Sequence, residues 1–290
     1  MTKRIALGTV QFGLPYGIAN RTGQVELSEA AAILAYARSC GVDTVDTAIA
    51  YGDSERCLGE IGVQGWHVIS KLPAMPSACN NVAAWAEESV NASLERLAVP
   101  QLYGLLLHRP RQLLGEHGQV LYEAMLTLKR REVVKKIGVS VYGPDELDAL
   151  WPSFKLDLVQ APFNVFDRRL AASGWLKRLH DAGAEVHTRS VFLQGLLLAA
   201  AADRPAKFRR WQPLWDAWHR WLKEQRLSAL EACLGFVLSH PEIERVVVGV
   251  DNLAQLRQII AHAGSAARTA PDVLSCDDLE LIDPSSWGIA

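Results

Sequence analysis

The strongest constraint on this chain is an alternation that repeats along almost its whole length. Eight short, continuously apolar runs, at 4–7, 43–46, 67–71, 102–107, 136–141, 157–161, 185–188 and 245–248, are separated by longer segments, most with helical patterning. Runs this short and this uniformly apolar suit strands covered on both faces, and strands that alternate with helices make parallel sheets from βα units. Eight such units predict a (β/α)8 TIM barrel within an α/β fold. No Pro/Gly/Ser-rich linker interrupts the 290 residues, so the expectation is a single domain over 1–290.

Helices are expected at 28–39 with Ser28 as N-cap and Gly41 just past the end, at 81–97, 119–131 and 144–150, and at 171–182 with Gly183 as stop. The longest interruption, a helical insertion around 203–226 between the seventh and eighth strands, carries Trp211, Trp215, Trp218 and Trp221. The first three follow i, i+4, i+7 spacing. An aromatic face packed on the barrel wall is the first reading of this stripe. An aromatic lid over a substrate is the other.

A hydrophobic content of 49% with 21% charge describes an ordinary globular chain, and a net charge of -2 gives no basic footprint for nucleic acid. The five cysteines lack metal-site spacing, and their odd number argues against a disulfide framework, which points to a reducing cytoplasm. No apolar stretch is long enough to predict a membrane span or an exported leader.

Four polar residues fall where the strand map predicts the C-terminal mouth of the barrel: Asp46 after the second strand, Tyr51 in the loop beyond, Lys71 ending the third and His108 ending the fourth. Polar groups that end adjacent barrel strands converge on one point, where barrel enzymes place their chemistry. Taken singly, each has a structural explanation: a turn-forming Asp, a Lys reaching for water, a hydrogen-bonded core His. Together they suit carbonyl reduction. Asp46 would hold Lys71 charged, and a neighbouring ammonium would lower the Tyr51 pKa from its ordinary value near 10 so that the phenol can shuttle a proton. His108 would donate a hydrogen bond to the substrate oxygen or help set the protonation of Tyr51. None of the four supplies a hydride, so a reduced nicotinamide has to.

The run Asp46-Thr47-Ala48-Ile49-Ala50-Tyr51-Gly52 with Glu55 and Gly59 after it, then Ser70-Lys71, then Leu107-His108, closely resembles the aldo-keto reductases. In that family an Asp, Tyr, Lys, His tetrad occurs in this order. The resemblance implies a barrel that binds NADPH across its mouth without a Rossmann domain, and no GxGxxG stands between a strand and a helix here. It further implies cofactor contacts from Gly8 and Thr9 in the Leu7-Gly8-Thr9 stretch, and from Ser140 and Gln160 at the nicotinamide carboxamide. Arg189, Ser190, Phe192, Leu193 and Gly195 fall in the loop that wraps the pyrophosphate. Gly249, Asp251 and Gln255 fall in the segment that grips the adenosine.

Two departures from the family pattern stand out: Val141 in place of an asparagine, and Arg189 in place of an aromatic ring. Asp251 is a poor neighbour for a 2′-phosphate and leaves NADH open, whereas Lys207, Arg209 and Arg210 are candidates for compensating charge. The expected partner is a small carbonyl compound, walled by the loop 11–18, Trp85, Arg109, Phe163 and the Trp-rich insertion. Two rival readings are a lyase that uses Lys71 as a Schiff-base nucleophile and a cofactor-sensing binding subunit of the same fold.

Overall fold

The computed structural model describes residues 2–264 and 268–287, so the remaining parts of the expected 1–290 span lie outside the described residues. Eight parallel strands, β1 (Ile5–Gly8), β2 (Thr44–Asp46), β3 (His67–Leu72), β4 (Leu102–Leu107), β5 (Val134–Ser140), β6 (Leu158–Pro162), β7 (Glu185–Arg189) and β8 (Arg245–Gly249), follow one another around a closed barrel. Each differs from its sequence-predicted span by at most two residues at either end. Burial on both faces explains the uniform apolar runs: Ile5, Val45, Val68, Leu105, Val139, Val159 and Val186 are all buried.

The outer helices show where local sequence falls short. The helix Leu27–Ser39 starts one residue before Ser28, so that serine lies inside it and the N-cap position is Glu26. The expected helix 171–182 is broken into Arg169–Ala172 and Trp175–Asp181 by Gly174, whose φ of +80° is a left-handed conformation that ends the first piece. Asn81 does cap Val82–Leu97, accepting from the Ala84 N–H at 3.1 Å.

The tryptophan segment folds as Gln212–Gln225 with Trp215, Trp218 and Trp221 buried, and Trp215 and Trp218 pack on Phe166 with ring centroids 5.1 and 5.9 Å away. This stripe is wall packing and not a lid. Trp211 instead donates its indole N–H to Asp278 at 3.0 Å.

The residues that begin the strands form a polar plug at the closed end of the barrel. Glu185 accepts from Tyr103 at 2.7 Å and pairs with Lys136 at 2.7 Å, while His187 Nε2 lies 3.5 Å from its other oxygen. This end of a barrel reads as structural support. Among the described residues, no helix is long and apolar enough to cross a membrane.

Candidate active site

Asp46 ends β2, Lys71 lies one residue from the end of β3, and His108 follows β4, so the three side chains reach the same end of the barrel. Both Lys71 and Asp46 are buried, and Lys71 Nζ donates to Asp46 Oδ1 at 2.6 Å and to the Thr47 carbonyl at 2.8 Å. The second Asp46 oxygen accepts from Gln160 Nε2 at 2.7 Å, and Ser140 Oγ donates to Gln160 Oε1 at 3.1 Å. A buried ion pair is held best when its remaining lone pairs and protons are satisfied, as here. β5 and β6 bring Ser140 and Gln160 side by side in register.

Tyr51 stands over this pair. Lys71 Nζ is 5.1 Å from the centre of the Tyr51 ring, and the His108 ring meets the same ring edge-on with centroids 5.7 Å apart. Burial is the main force that pushes the Tyr51 pKa above its ordinary value, with the Asp46 charge adding to it and Arg189 opposing it. The expected lowering by Lys71 is not what this geometry gives: burial of the phenol outweighs it and keeps Tyr51 neutral. His108 is neutral too, its pKa brought down to about 3 by burial first and then by Lys71, Arg189 and Arg109. A neutral phenol can give a proton and a neutral imidazole can give a hydrogen bond, each without first changing charge.

The loop that carries Tyr51 is fixed by a cluster absent from the sequence reading. Ser54 Oγ donates to the Thr9 carbonyl at 2.8 Å and lies 2.9 Å from Thr9 Oγ1 and 3.0 Å from Thr47 Oγ1, all three residues being buried. Thr9 Oγ1 also donates to the Asp46 carbonyl at 3.0 Å, so Thr9 braces the loop rather than facing a ligand. Behind it the buried Glu55 accepts from Ser70 at 2.5 Å, Ser93 at 2.6 Å and Arg96 at 2.7 Å. Gly59 is required at this helix because a Cβ there would stand 2.0 Å from the Arg96 carbonyl oxygen.

The family model for the aldo/keto reductase family matches residues 4–278. The chain belongs to the aldo/keto reductase family. This aldo/keto reductase is therefore of a family of oxidoreductases that use nicotinamide cofactors on small carbonyl compounds. An aldo-keto reductase from Bacillus halodurans in its holo form is similar in fold, with a TM-score of 0.72 at 18% identity over 92% of this chain and 88% of that one. The glycerol dehydrogenase of Gluconobacter oxydans gives a TM-score of 0.69 at 19% identity over 91% and 88%. A chain assigned to the aldo-keto reductases from Pseudomonas aeruginosa gives 0.66 at 23% identity over 90% and 89%. No curated protein matches the chain in sequence.

The other expected site residues fall around the same mouth with different degrees of commitment. Gly8 and Gly249 pair in register at the ends of β1 and β8. The Gln11 side chain lies across Gly249, where a Cβ would stand 2.6 Å from Gln11 Nε2. Ser190, Leu193, Gln194 and Gly195 have φ values of 60°, 49°, 53° and 86°, an unusual density of left-handed residues for one turn. The Leu193 side chain is buried, whereas Phe192 is half-buried. Asp251 accepts from Asn20 at 3.0 Å, and its N–H donates to Gln255 Oε1 at 2.8 Å.

Arg189 anchors on the Val141 carbonyl at 3.0 Å and lies over the Tyr142 ring, 4.9 Å from its centre. Three expectations are corrected. Phe163 is fully buried against Phe236 and His240 and walls no pocket. Lys207 donates to the Trp287 carbonyl at 2.9 Å, and Arg210 pairs with Glu280, so both serve the C-terminal segment. Tyr142, which the sequence reading passed over, lies beside both Arg109 and Arg189.

Proposed function

We propose that this chain reduces an aldehyde or ketone to the alcohol with NADPH as reductant, the whole chain acting as one catalytic unit. The observation that carries the reading is the sealed Asp46–Lys71 pair beneath Tyr51, with His108 at the edge of the tyrosine ring. When bound, the cofactor supplies the hydride. Tyr51 gives its phenolic proton to the carbonyl oxygen as negative charge builds there. The Lys71 ammonium, 5.1 Å from the ring centre, stabilises the phenolate left behind. Asp46 and the Thr47 carbonyl hold that ammonium in place, and His108 orients the carbonyl by a hydrogen bond from its neutral ring.

Residues at the mouth fit such a cofactor. Gln11 Oε1 is buried without a partner among the described residues, beside the bare Gly249 backbone. The Ser140–Gln160 hydrogen bond at 3.1 Å supports a carboxamide contact at that point, and the left-handed turn at 190–195 supports approach by a diphosphate. Lysine chemistry of the Schiff-base kind fits less well, because Lys71 is buried and bonded to a carboxylate and a carbonyl.

The test is NADPH fluorescence titration followed by an aldehyde panel, with Tyr51→Phe alongside. Cofactor binding by both proteins and aldehyde-dependent oxidation of NADPH by the wild type are expected. Binding without turnover would replace this reading with a cofactor-sensing subunit. Borohydride trapping of a carbonyl compound on Lys71 would replace it with a lyase.

A further inference from the structure

The rim beside His108 carries charges of both signs, and not all of them pair. A cavity of about 350 Å³ there is lined by Arg109, Arg111, Arg169 and Tyr142 together with Asp145, Glu146 and Asp283. Arg111 pairs with Asp145 and, at 3.2 Å, with Glu146, while Arg169 pairs with Asp167 at 2.8 Å. Glu146 also accepts the Tyr142 N–H at 2.7 Å, and Asp283 accepts from Ser285 N and Oγ at 2.9 and 2.8 Å. Asp145 and Glu146 are thus held by Arg111, while Asp283, turned to Ser285, has no ion-pair partner among the described residues.

Arg109 and Arg189 are left over. Neither has a carboxylate partner among the described residues. The Arg109 guanidinium lies 5.7 Å and that of Arg189 4.9 Å from the centre of the same Tyr142 ring. Arg189 is tethered by the Val141 carbonyl and Ser190 Oγ, whereas the Arg109 guanidinium makes no hydrogen bond to another described residue. Arg109 directly follows His108 in the chain, and its charge is near enough to help lower the His108 pKa, so a forked donor set without a hydrogen-bond partner lies beside the residue proposed to orient the carbonyl. Two guanidiniums without ion-pair partners around one ring favour an anion between them. A guanidinium is also the group best shaped to take an oxyanion with two parallel hydrogen bonds.

We infer that the substrate is a carbonyl compound with an oxyanion group a few carbons from the reacting carbon, and that Arg109 binds that group. The inference rests on the reductase reading above. It names the substrate class that the reading leaves open.

The test compares kcat/KM for 4-oxobutanoate against butanal, and for glyceraldehyde 3-phosphate against glyceraldehyde, in the wild type and in Arg109→Gln. The wild type should prefer at least one anionic aldehyde over its neutral counterpart by about tenfold or more. The larger of the two ratios identifies the anion as carboxylate or phosphate. Arg109→Gln should bring that ratio to within about twofold of unity, mostly through KM, and added salt should erode it in the wild type only. Equal use of charged and neutral aldehydes by the wild type, or a preference that survives Arg109→Gln, overturns the inference. If no aldehyde is turned over, the reductase reading is what fails. Calorimetric titration with 4-oxobutanoate and with glyceraldehyde 3-phosphate then decides this one, since binding of either anion lost in Arg109→Gln supports it and no binding of either overturns it.

Discussion

Lys71 and Asp46 form an ion pair at 2.6 Å in a place from which water is excluded, and the pair is the floor on which Tyr51 rests. Two charges in such a site are tolerable only while they answer each other. Removing one partner leaves the other uncompensated, at a cost of about 3–5 kcal/mol. Asp46→Asn is therefore expected to lose about that much stability in urea unfolding. The double variant Asp46→Asn with Lys71→Met should recover part of the loss, because the stranded ammonium is gone. A double variant less stable than Asp46→Asn would contradict this view of the pair.

His108 gives the fold a dependence on pH with a definite sign. Its pKa in the folded protein is lowered to about 3, whereas the unfolded chain takes up the proton near pH 6.5. The unfolded state thus binds more protons between those values, and stability falls as pH drops from about 6.5 towards 3. His187, buried in the plug at the other end, has a pKa shifted in the same direction by burial and adds to the effect. Urea midpoints measured at pH 7 and pH 5 should drop more for the wild type than for His108→Gln. The pH profile of turnover should also show no His108 ionisation between about pH 5 and 8.

We propose that Arg189 borders the nicotinamide ring and so biases binding towards the reduced cofactor. A guanidinium beside the ring repels the oxidised, positively charged nicotinamide more than the neutral reduced one. Arg189 is fixed by the Val141 carbonyl, so it cannot easily swing away to relieve that repulsion. Arg189→Tyr should tighten oxidised cofactor relative to reduced, read as the ratio of the two dissociation constants. An unchanged ratio would end the idea.

How much of this was legible in the sequence follows from what kind of signal each feature leaves. The barrel strands were visible because burial on both faces writes an apolar run into each of them. Asp46, Lys71 and His108 were visible for the same reason, as charged or polar groups at the ends of such runs. Lys71 was legible as one partner of Asp46, but the other was not: Gln160 lies 114 residues away, and only closure of the barrel brings its amide to 2.7 Å. Ser54 sits in a helix of eight residues, too short to declare itself by periodicity, and the partners of Glu55 in that helix, Ser70, Ser93 and Arg96, come from elsewhere in the chain.

The sequence puts a lysine near Tyr51 but does not show how deeply the phenol is buried, and burial is the largest cause of the upward shift. Arg109 was in view from the start, yet its lack of a partner emerges only once Asp145, Glu146 and Asp167 are seen to be occupied.

The central claim is that the Tyr51 hydroxyl delivers the proton in carbonyl reduction. Single-turnover mixing of preformed enzyme–NADPH complex with aldehyde tests it most directly, for wild type and for Tyr51→Phe with cofactor binding and fold checked separately. The account predicts a rate lower by about a hundredfold or more in Tyr51→Phe, the usual worth of a positioned general acid. Equal rates in the two proteins would contradict it.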